Sequence, residues 1–226
     1  MEPNLVMNLA KKMGVSVVEI AREEIEVFLL NELAKTNLSQ KIVFKGGTAL
    51  RLVYGSPRFS QDLDFSVIGT ISFSSFRKLL NNIVRQRKEL KIKDIYDKRE
   101  TIFALIGVNL EFLKQSFSIK IELSKKKYDL KKNDYFLRGI SSSVSPLTPL
   151  VYVYSLERIL YEKKLALKTR GAPRDFFDCW WMAEKLGKKI DFLKPKMKRS
   201  QFVGEINQLL PSYLKNWAVD FWKKYE

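Results

Sequence analysis

Histidine is absent from the 226 residues of this chain, which removes Ser-His-Asp and Cys-His catalysis, every histidine-containing zinc site and the usual general base of neutral pH. One cysteine is present, Cys179, within the apolar string FFDCWWMA. No intrachain disulfide can form, and a lone thiol in that setting reads as a small buried hydrophobe rather than a nucleophile or ligand. No apolar run approaches the ~18 to 20 residues that span a bilayer, and the opening MEPNLVMNLAKKMG does not resemble a secretory leader. A cytoplasmic protein without membrane contact is the expectation. The depletion of apolar residues that marks disorder is also missing: 46% of residues are hydrophobic and 29% charged, so the chain can bury a core. Any chemistry must run on carboxylates, lysines, hydroxyls and bound metal.

What is abundant is positive charge. Forty-one Lys and Arg against 25 Asp and Glu give a formal net charge of +16, a field that attracts nucleotides and polyanions and makes nucleic acid the leading partner class. Basic clusters stand at RQRKELKIK, KKKYDLKK and KKIDFLKPKMKR, the second with Tyr128, Tyr135 and Phe136 nearby. Lysines with rings can track and stack an RNA strand, although each cluster alone also fits a solvated face. Trp180, Trp181, Trp217 and Trp222 read as helical core rather than base platforms.

Along the chain, SVVEIAREEIEVFLLNELAK has helical spacing, with Ser16 as N-cap and Glu19 completing a capping box. A short β-type IVF, the pair Gly46-Gly47, a helix-like TALRLVY and an alternating segment from Gln61 to Val67 follow. Residues 72–90 read as a helix, then IKIKDIYD, TIFALIGVNLEFL and SFSIKIELS as strands. After SSSVSPLTP the pattern turns helical, with Pro149 starting a helix through about Leu167 and Pro173 opening the next. The expected fold class is α+β: a mixed sheet with flanking helices over residues 1–145, then an all-helical lobe over 146–226.

Asp62 and Asp64 in FSQDLDFSV lie two apart in a strand pattern, so both carboxylates leave one face ~6.6 Å apart at the backbone while Leu63 and Phe65 turn to the core. Paired acids repel unless a cation lies between them, and Mg²⁺ is the hard ion that takes carboxylates together with substrate phosphates. Upstream, FKGGTALR puts two glycines at the start of a helix, where backbone N–H groups and the helix dipole favour an anion. The spacing is not that of a P-loop, and Gly46-Gly47 would also serve as an ordinary turn. A phosphate cradle beside a metal pair is more specific than either part.

GGTALRLVYGSPRFSQDLDFSV resembles the signature of the nucleotidyltransferase AbiEii/AbiGii toxin family, within the polymerase-β-like nucleotidyltransferase superfamily. ERILYEKKLALKTRGAPRDFFD is similar to that family's second block. The resemblance implies a nucleotidyltransferase fold and transfer of NMP from an NTP to an acceptor hydroxyl. It implies Gly46, Gly47, Thr48 and Ser60 as nucleotide contacts, Asp62 and Asp64 as metal ligands, and Lys163 and Asp175 as further active-site residues. The match at Lys163 could equally belong to Lys164, Asp175 also suits a helix first turn, and Asp178 with Arg174 has the spacing of a simple pair. Superfamily members often add a third carboxylate from a neighbouring strand. Glu122 is the candidate, on one face with Lys120 and Ser124 by alternation, though longer than the Asp common there. The implied cofactor is Mg²⁺, with Mn²⁺ as an alternative. The implied partners are NTP, RNA with a tRNA 3′ end as leading acceptor, and a cognate antitoxin. A protein or small-molecule hydroxyl, and an inactive nucleic-acid-binding module of the same fold, are the competing readings.

Overall fold

The computed structural model describes residues 2–127, 129–131 and 133–225; Tyr128, part of the expected ring cluster, lies outside them. Two helices come first, α1 (Pro3–Met13) and α2 (Val17–Ala34), followed by β1 (Ile42–Lys45), α3 (Gly46–Tyr54), β2 (Asp62–Val67) and α4 (Phe73–Val84). Then come β3 (Leu90–Lys98), β4 (Thr101–Val108), β5 (Phe117–Ser124), β6 (Tyr135–Gly139) and β7 (Leu150–Tyr154). The rest is helical: α5 (Leu156–Thr169), α6 (Pro173–Leu186), α7 (Arg199–Asn207) and α8 (Asn216–Lys223), with a short 3₁₀ turn between the last two. The seven strands form one mixed sheet in the order β3-β4-β5-β2-β1-β7-β6, with β2/β5 and β1/β7 parallel and the other pairs antiparallel.

Strand alternation decides the two faces of this sheet. Leu63, Phe65, Ile121, Leu123, Ile102 and Ala104 are buried in the main core beside α2 and α4, whereas Asp62, Asp64, Lys120 and Glu122 leave the opposite face. Helix α2 runs through the interior, and Ser16 caps it by accepting from the Glu19 backbone N–H at 3.2 Å. The reciprocal half of the expected capping box does not form. The Glu19 carboxylate accepts from Gln61 at 3.0 Å and is buried, so tertiary contacts have claimed it.

Three expectations need correction. The helix read over 72–90 stops at Val84, because RQRKE offers helix-favouring residues without an apolar anchor, and the buried Leu90 that follows already begins β3. Strand β6 takes YFLRG, between the basic stretch and SSSVSPLTP, for which no element had been expected. Pro149 does not start a helix: LVYVY, dense in β-branched and aromatic residues, forms β7 and lies parallel to β1, with Phe44 facing Val153. The sheet therefore continues past residue 146, and the part whose regular elements are all helices starts at Leu156, capped by Ser155.

Helix α6 joins the two halves of the interior. Its Cys179 and Met182 pack into the main core, while Phe176 and Phe177 pack with Phe202, Phe221 and Trp222 in a second, aromatic-rich core. Trp222 is buried and Trp180, Trp181 and Trp217 pack against that core, which accounts for them without a ligand. Burial pushes the Cys179 thiol up to about 12, so it stays neutral and inert. Phe59, just ahead of β2, donates its N–H to the Leu209 carbonyl at 2.8 Å and ties the β2 loop to the helical half.

Candidate active site

The parallel pairing of β2 with β5 sets Asp62 against Lys120 and Asp64 against Glu122, so three carboxylates and one ammonium share a patch of sheet face. Lys120 Nζ stands 3.3 Å from Asp62 Oδ2, 3.4 Å from Glu122 Oε2 and 3.9 Å from Asp64 Oδ1. Burial raises the pKa of Asp64; the neighbouring charges of Asp62 and Glu122 push the same way and Lys120 opposes them. The same three carboxylates hold the Lys120 ammonium above its ordinary value against the opposing effect of burial.

Gly46 joins β1 to α3 with a φ of 81°, and a Cβ there would lie 2.7 Å from Asp64 Oδ2. A side chain at Gly47 would meet Arg58 and Ser60 Oγ at 2.3 and 2.6 Å. Both glycines thus let the first turn of α3 lie flush against the acids and the Ser60 hydroxyl. No side chain caps the start of α3, which leaves its first-turn N–H groups and positive dipole end suited to an anion. Thr48 belongs elsewhere: it is buried and its hydroxyl donates to the Asp62 carbonyl at 2.5 Å. The expected nucleotide contact at Thr48 gives way to a brace between α3 and β2.

Helices α5 and α6 form the facing wall of a cleft of about 270 Å³. Lys163 is the lysine that turns inward, 2.6 Å from Asp178 Oδ2 and 3.3 Å from Asp175 Oδ1, while Lys164 does not line the cleft. Asp175 and Asp178 are completely buried. Asp175 takes a bidentate contact from Arg170, 2.7 Å to each oxygen, and Asp178 one from Arg58 at 2.7 and 2.8 Å. Burial alone would raise both acids. For Asp178 the charges and hydrogen bonds of Arg58 and Lys163 overcome it and hold the carboxyl at about 2; for Asp175, Arg170 and Lys163 lower it as well. The Arg174–Asp178 pair that the spacing allowed does not form, since Asp178 is taken by Arg58 and Lys163 and Arg174 faces the cleft.

Of the residues expected from sequence, Gly46, Gly47, Ser60, Asp62, Asp64, Glu122 and Lys163 meet around this cleft. Asp175 does not line it; its carboxylate contacts Lys163 and Arg170, which do. Arg58, Arg170 and Lys45, which pairs with Glu162 at 3.1 Å, were not anticipated. Lys120 had been placed on the correct face without a role.

The donor set could take a divalent cation. Three acids from adjacent strands already converge on one positive charge, although among the described residues no three acids stand close enough to cage an ion as they are. Mg²⁺ needs ligands at about 2.0–2.1 Å but commonly uses only one or two carboxylates plus substrate phosphates and water. Asp62 and Asp64, with Glu122 as a third oxygen donor, are the residues that would meet that demand if the Lys120 ammonium were displaced.

A family model for the nucleotidyl transferase AbiEii toxin, type IV toxin–antitoxin system, matches residues 28–210. An uncharacterised protein of Aquifex aeolicus (strain VF5) is 27% identical over 172 residues, covering 75% of this chain and 71% of its own length. Among solved structures, a putative nucleotidyltransferase from Helicobacter pylori aligns with a TM-score of 0.58 at 20% identity, over 94% of this chain and 99% of that one. MenT4, a nucleotidyltransferase toxin from Mycobacterium tuberculosis, aligns with a TM-score of 0.60 at 17% identity, over 91% and 70%. JHP933 from H. pylori gives 0.56 at 24% identity, over 75% and 68%. These structures share the fold.

Proposed function

This chain belongs to the nucleotidyl transferase AbiEii toxin family, and from that premise we propose that it moves an NMP from an NTP to a hydroxyl of RNA, in a Mg²⁺-dependent reaction. The observation that carries the reading is the convergence of Asp62, Asp64 and Glu122 on a single ammonium, opposite a wall of fixed cations. Asp62 and Asp64, with Glu122, would hold Mg²⁺, which would supply charge neutralisation for the triphosphate.

The rest falls to the protein. The uncapped first turn of α3 at Gly46 and Gly47, with the Ser60 hydroxyl, binds phosphate oxygens. Lys163, Arg58 and Arg170 present positive charge to the pyrophosphate portion, and Asp175 and Asp178 position them. The acceptor oxygen forms its bond to the α-phosphorus as the bond to the bridging oxygen breaks and pyrophosphate leaves. The acceptor proton passes to Glu122, whose side chain is 36% exposed and the most accessible of the three acids. A tRNA 3′ end is the acceptor this reading favours, and the physiological role is that of a toxin restrained by a cognate antitoxin. No helix among the described residues is long and apolar enough to cross a membrane.

Incubation with each α-labelled NTP and total RNA, with Mg²⁺ or with EDTA, tests the proposal. Label entering RNA from one or more NTPs only with the metal is the expected result. Label confined to protein would move the acceptor to a side-chain hydroxyl, and labelling that survives EDTA would remove the metal from the account.

A further inference from the structure

The sheet face that carries the acids continues past them over β4 and β3. Antiparallel pairing sets Phe103 directly against Glu122 and Leu105 against Lys120, then Tyr96 against Phe103, so these side chains extend the same face sideways from the carboxylates. Tyr96 and Phe103 stack at 4.6 Å between ring centroids with an interplanar angle of 8°. Lys98 Nζ stands 4.5 Å from the Tyr96 ring centroid. Tyr96, Phe103 and Leu105 are each only half-buried, and none is among the side chains that pack on the main core, which takes Ile92, Ile95, Ile102 and Ala104 from the other face.

Around the rings the face is basic. Lys91, Lys93 and Lys98 are exposed, Lys93 lying across Gly107 to donate to the Ser118 hydroxyl at 2.9 Å, with Asp94 as the acid among them. The cleft itself, at about 270 Å³, falls just under the roughly 300–1,000 Å³ that encloses a drug-sized ligand. An NTP and an acceptor together must therefore extend beyond it, and the open face beside Glu122 is continuous with the place where the acceptor hydroxyl has to arrive.

We propose that the Tyr96–Phe103 stack with Lys91, Lys93 and Lys98 is the bed for an unpaired nucleic-acid strand, which stacks a base on the rings and sets its phosphates against the lysines while its end reaches the carboxylates. Ring faces and a basic track are the two elements that recognise a single strand without reading its sequence. This deepens the nucleotidyltransferase reading by naming the form of its acceptor, and rests on that reading for the direction in which the strand runs. Cross-strand ring pairing that merely steadies the β3–β4 hairpin is the competing account.

The test is fluorescence anisotropy with the full chain in EDTA buffer, so that binding is read without transfer. The probes are a labelled unpaired RNA oligonucleotide, its duplex, and unpaired DNA of the same sequence. Wild type is expected to prefer the unpaired strands, and Tyr96→Ala to weaken unpaired binding by about tenfold while leaving duplex binding nearly unchanged. Tyr96→Phe keeps the ring face and should restore affinity. Lys98→Ala should flatten the salt dependence by about one unit of slope. Should Tyr96→Ala fail to fold, Tyr96→Leu keeps an apolar strand residue without a ring face and is expected to show the same loss. Equal affinity of wild type and Tyr96→Ala or Tyr96→Leu for the unpaired strand, or no preference over duplex in wild type, overturns the bed. RNA preferred over DNA assigns the strand as RNA, and equal binding leaves the bed as a general single-strand surface. The two readings fail separately: label transferred to protein without strand binding removes the bed and keeps the transferase, whereas strand binding without transfer of any NTP keeps the bed and removes the transferase.

Discussion

The two walls of the cleft use charge in opposite ways. On the sheet side, Asp62, Asp64 and Glu122 are 29 to 36% exposed and share a single lysine at distances of 3.3 Å or more. On the helix side, Asp175 and Asp178 are completely buried, and each takes a bidentate guanidinium besides a contact from Lys163. Under-compensated charge at a solvent-reached surface is available for chemistry. Fully compensated charge in the interior is a frame, costly to break and suited to holding cations still for a partner across the gap.

The contrast predicts that activity and stability separate by wall. Asp64→Asn should lower transfer by about a thousandfold or more, equivalent to roughly 4 kcal/mol in the barrier. Its melting temperature should hold or rise slightly, because repulsion among the acids is relieved. Transfer within a few-fold of wild type would erase the distinction.

Asp178→Asn should do the reverse first. It strands Arg58 and Lys163 beside an interior group without charge, and loss of one partner of a buried network costs about 3–5 kcal/mol. That is a large share of the roughly 5–15 kcal/mol typical of a folded domain. Urea unfolding reads this directly, and a loss below about 1 kcal/mol would mean that the network does not frame the wall.

Acid sharpens the same comparison. Asp178 is held at about 2 against an ordinary 3.8, so its contribution, on the order of 2 kcal/mol, is fully present above the ordinary value and lost as pH falls toward 2. Asp64 is shifted upward, so its contribution has the opposite slope and grows as pH falls. Wild-type stability should drop through pH 4 to 2, with a shallower drop in Asp178→Asn; an identical profile in both would contradict the assignment.

How much of this was legible in the sequence depends on the range of the contact. Alternation placed Asp62 and Asp64 on one face, and Gly46-Gly47 marked the close approach, because both features are local. Lys163 was reached through a family-like block that fitted Lys164 as well, and only the turn of α5 places Lys163 at the cleft and Lys164 outside it. Arg58 and Asp178 are 120 positions apart, and neither has a local pattern that announces the other; the spacing suggested Arg174 for Asp178 instead. Lys120 sat on the predicted face beside Glu122, yet only the parallel pairing of β2 with β5 brings it to Asp62 and Asp64. Strand β7 was missed for the opposite reason: the proline before LVYVY suggested a helix start and outweighed a clear β composition.

A smaller effect is expected at Lys120 itself. Lys120→Met removes the shared ammonium and should lower the stability of the metal-free protein by at most about 1 kcal/mol, since the contacts are partly exposed. A differential melting scan in EDTA checks it, and a loss of several kcal/mol would place Lys120 in the structural frame with Asp175 and Asp178.

The most direct measurement is Mn²⁺ binding, followed by electron paramagnetic resonance, with a non-hydrolysable NTP analogue present. Wild type and folded Asp178→Asn should bind saturably, Lys120→Met should bind more tightly, and Asp62→Asn and Asp64→Asn should lose the site while remaining folded. Mn²⁺ affinity in Asp62→Asn and Asp64→Asn equal to that of wild type would contradict a metal site on the sheet wall.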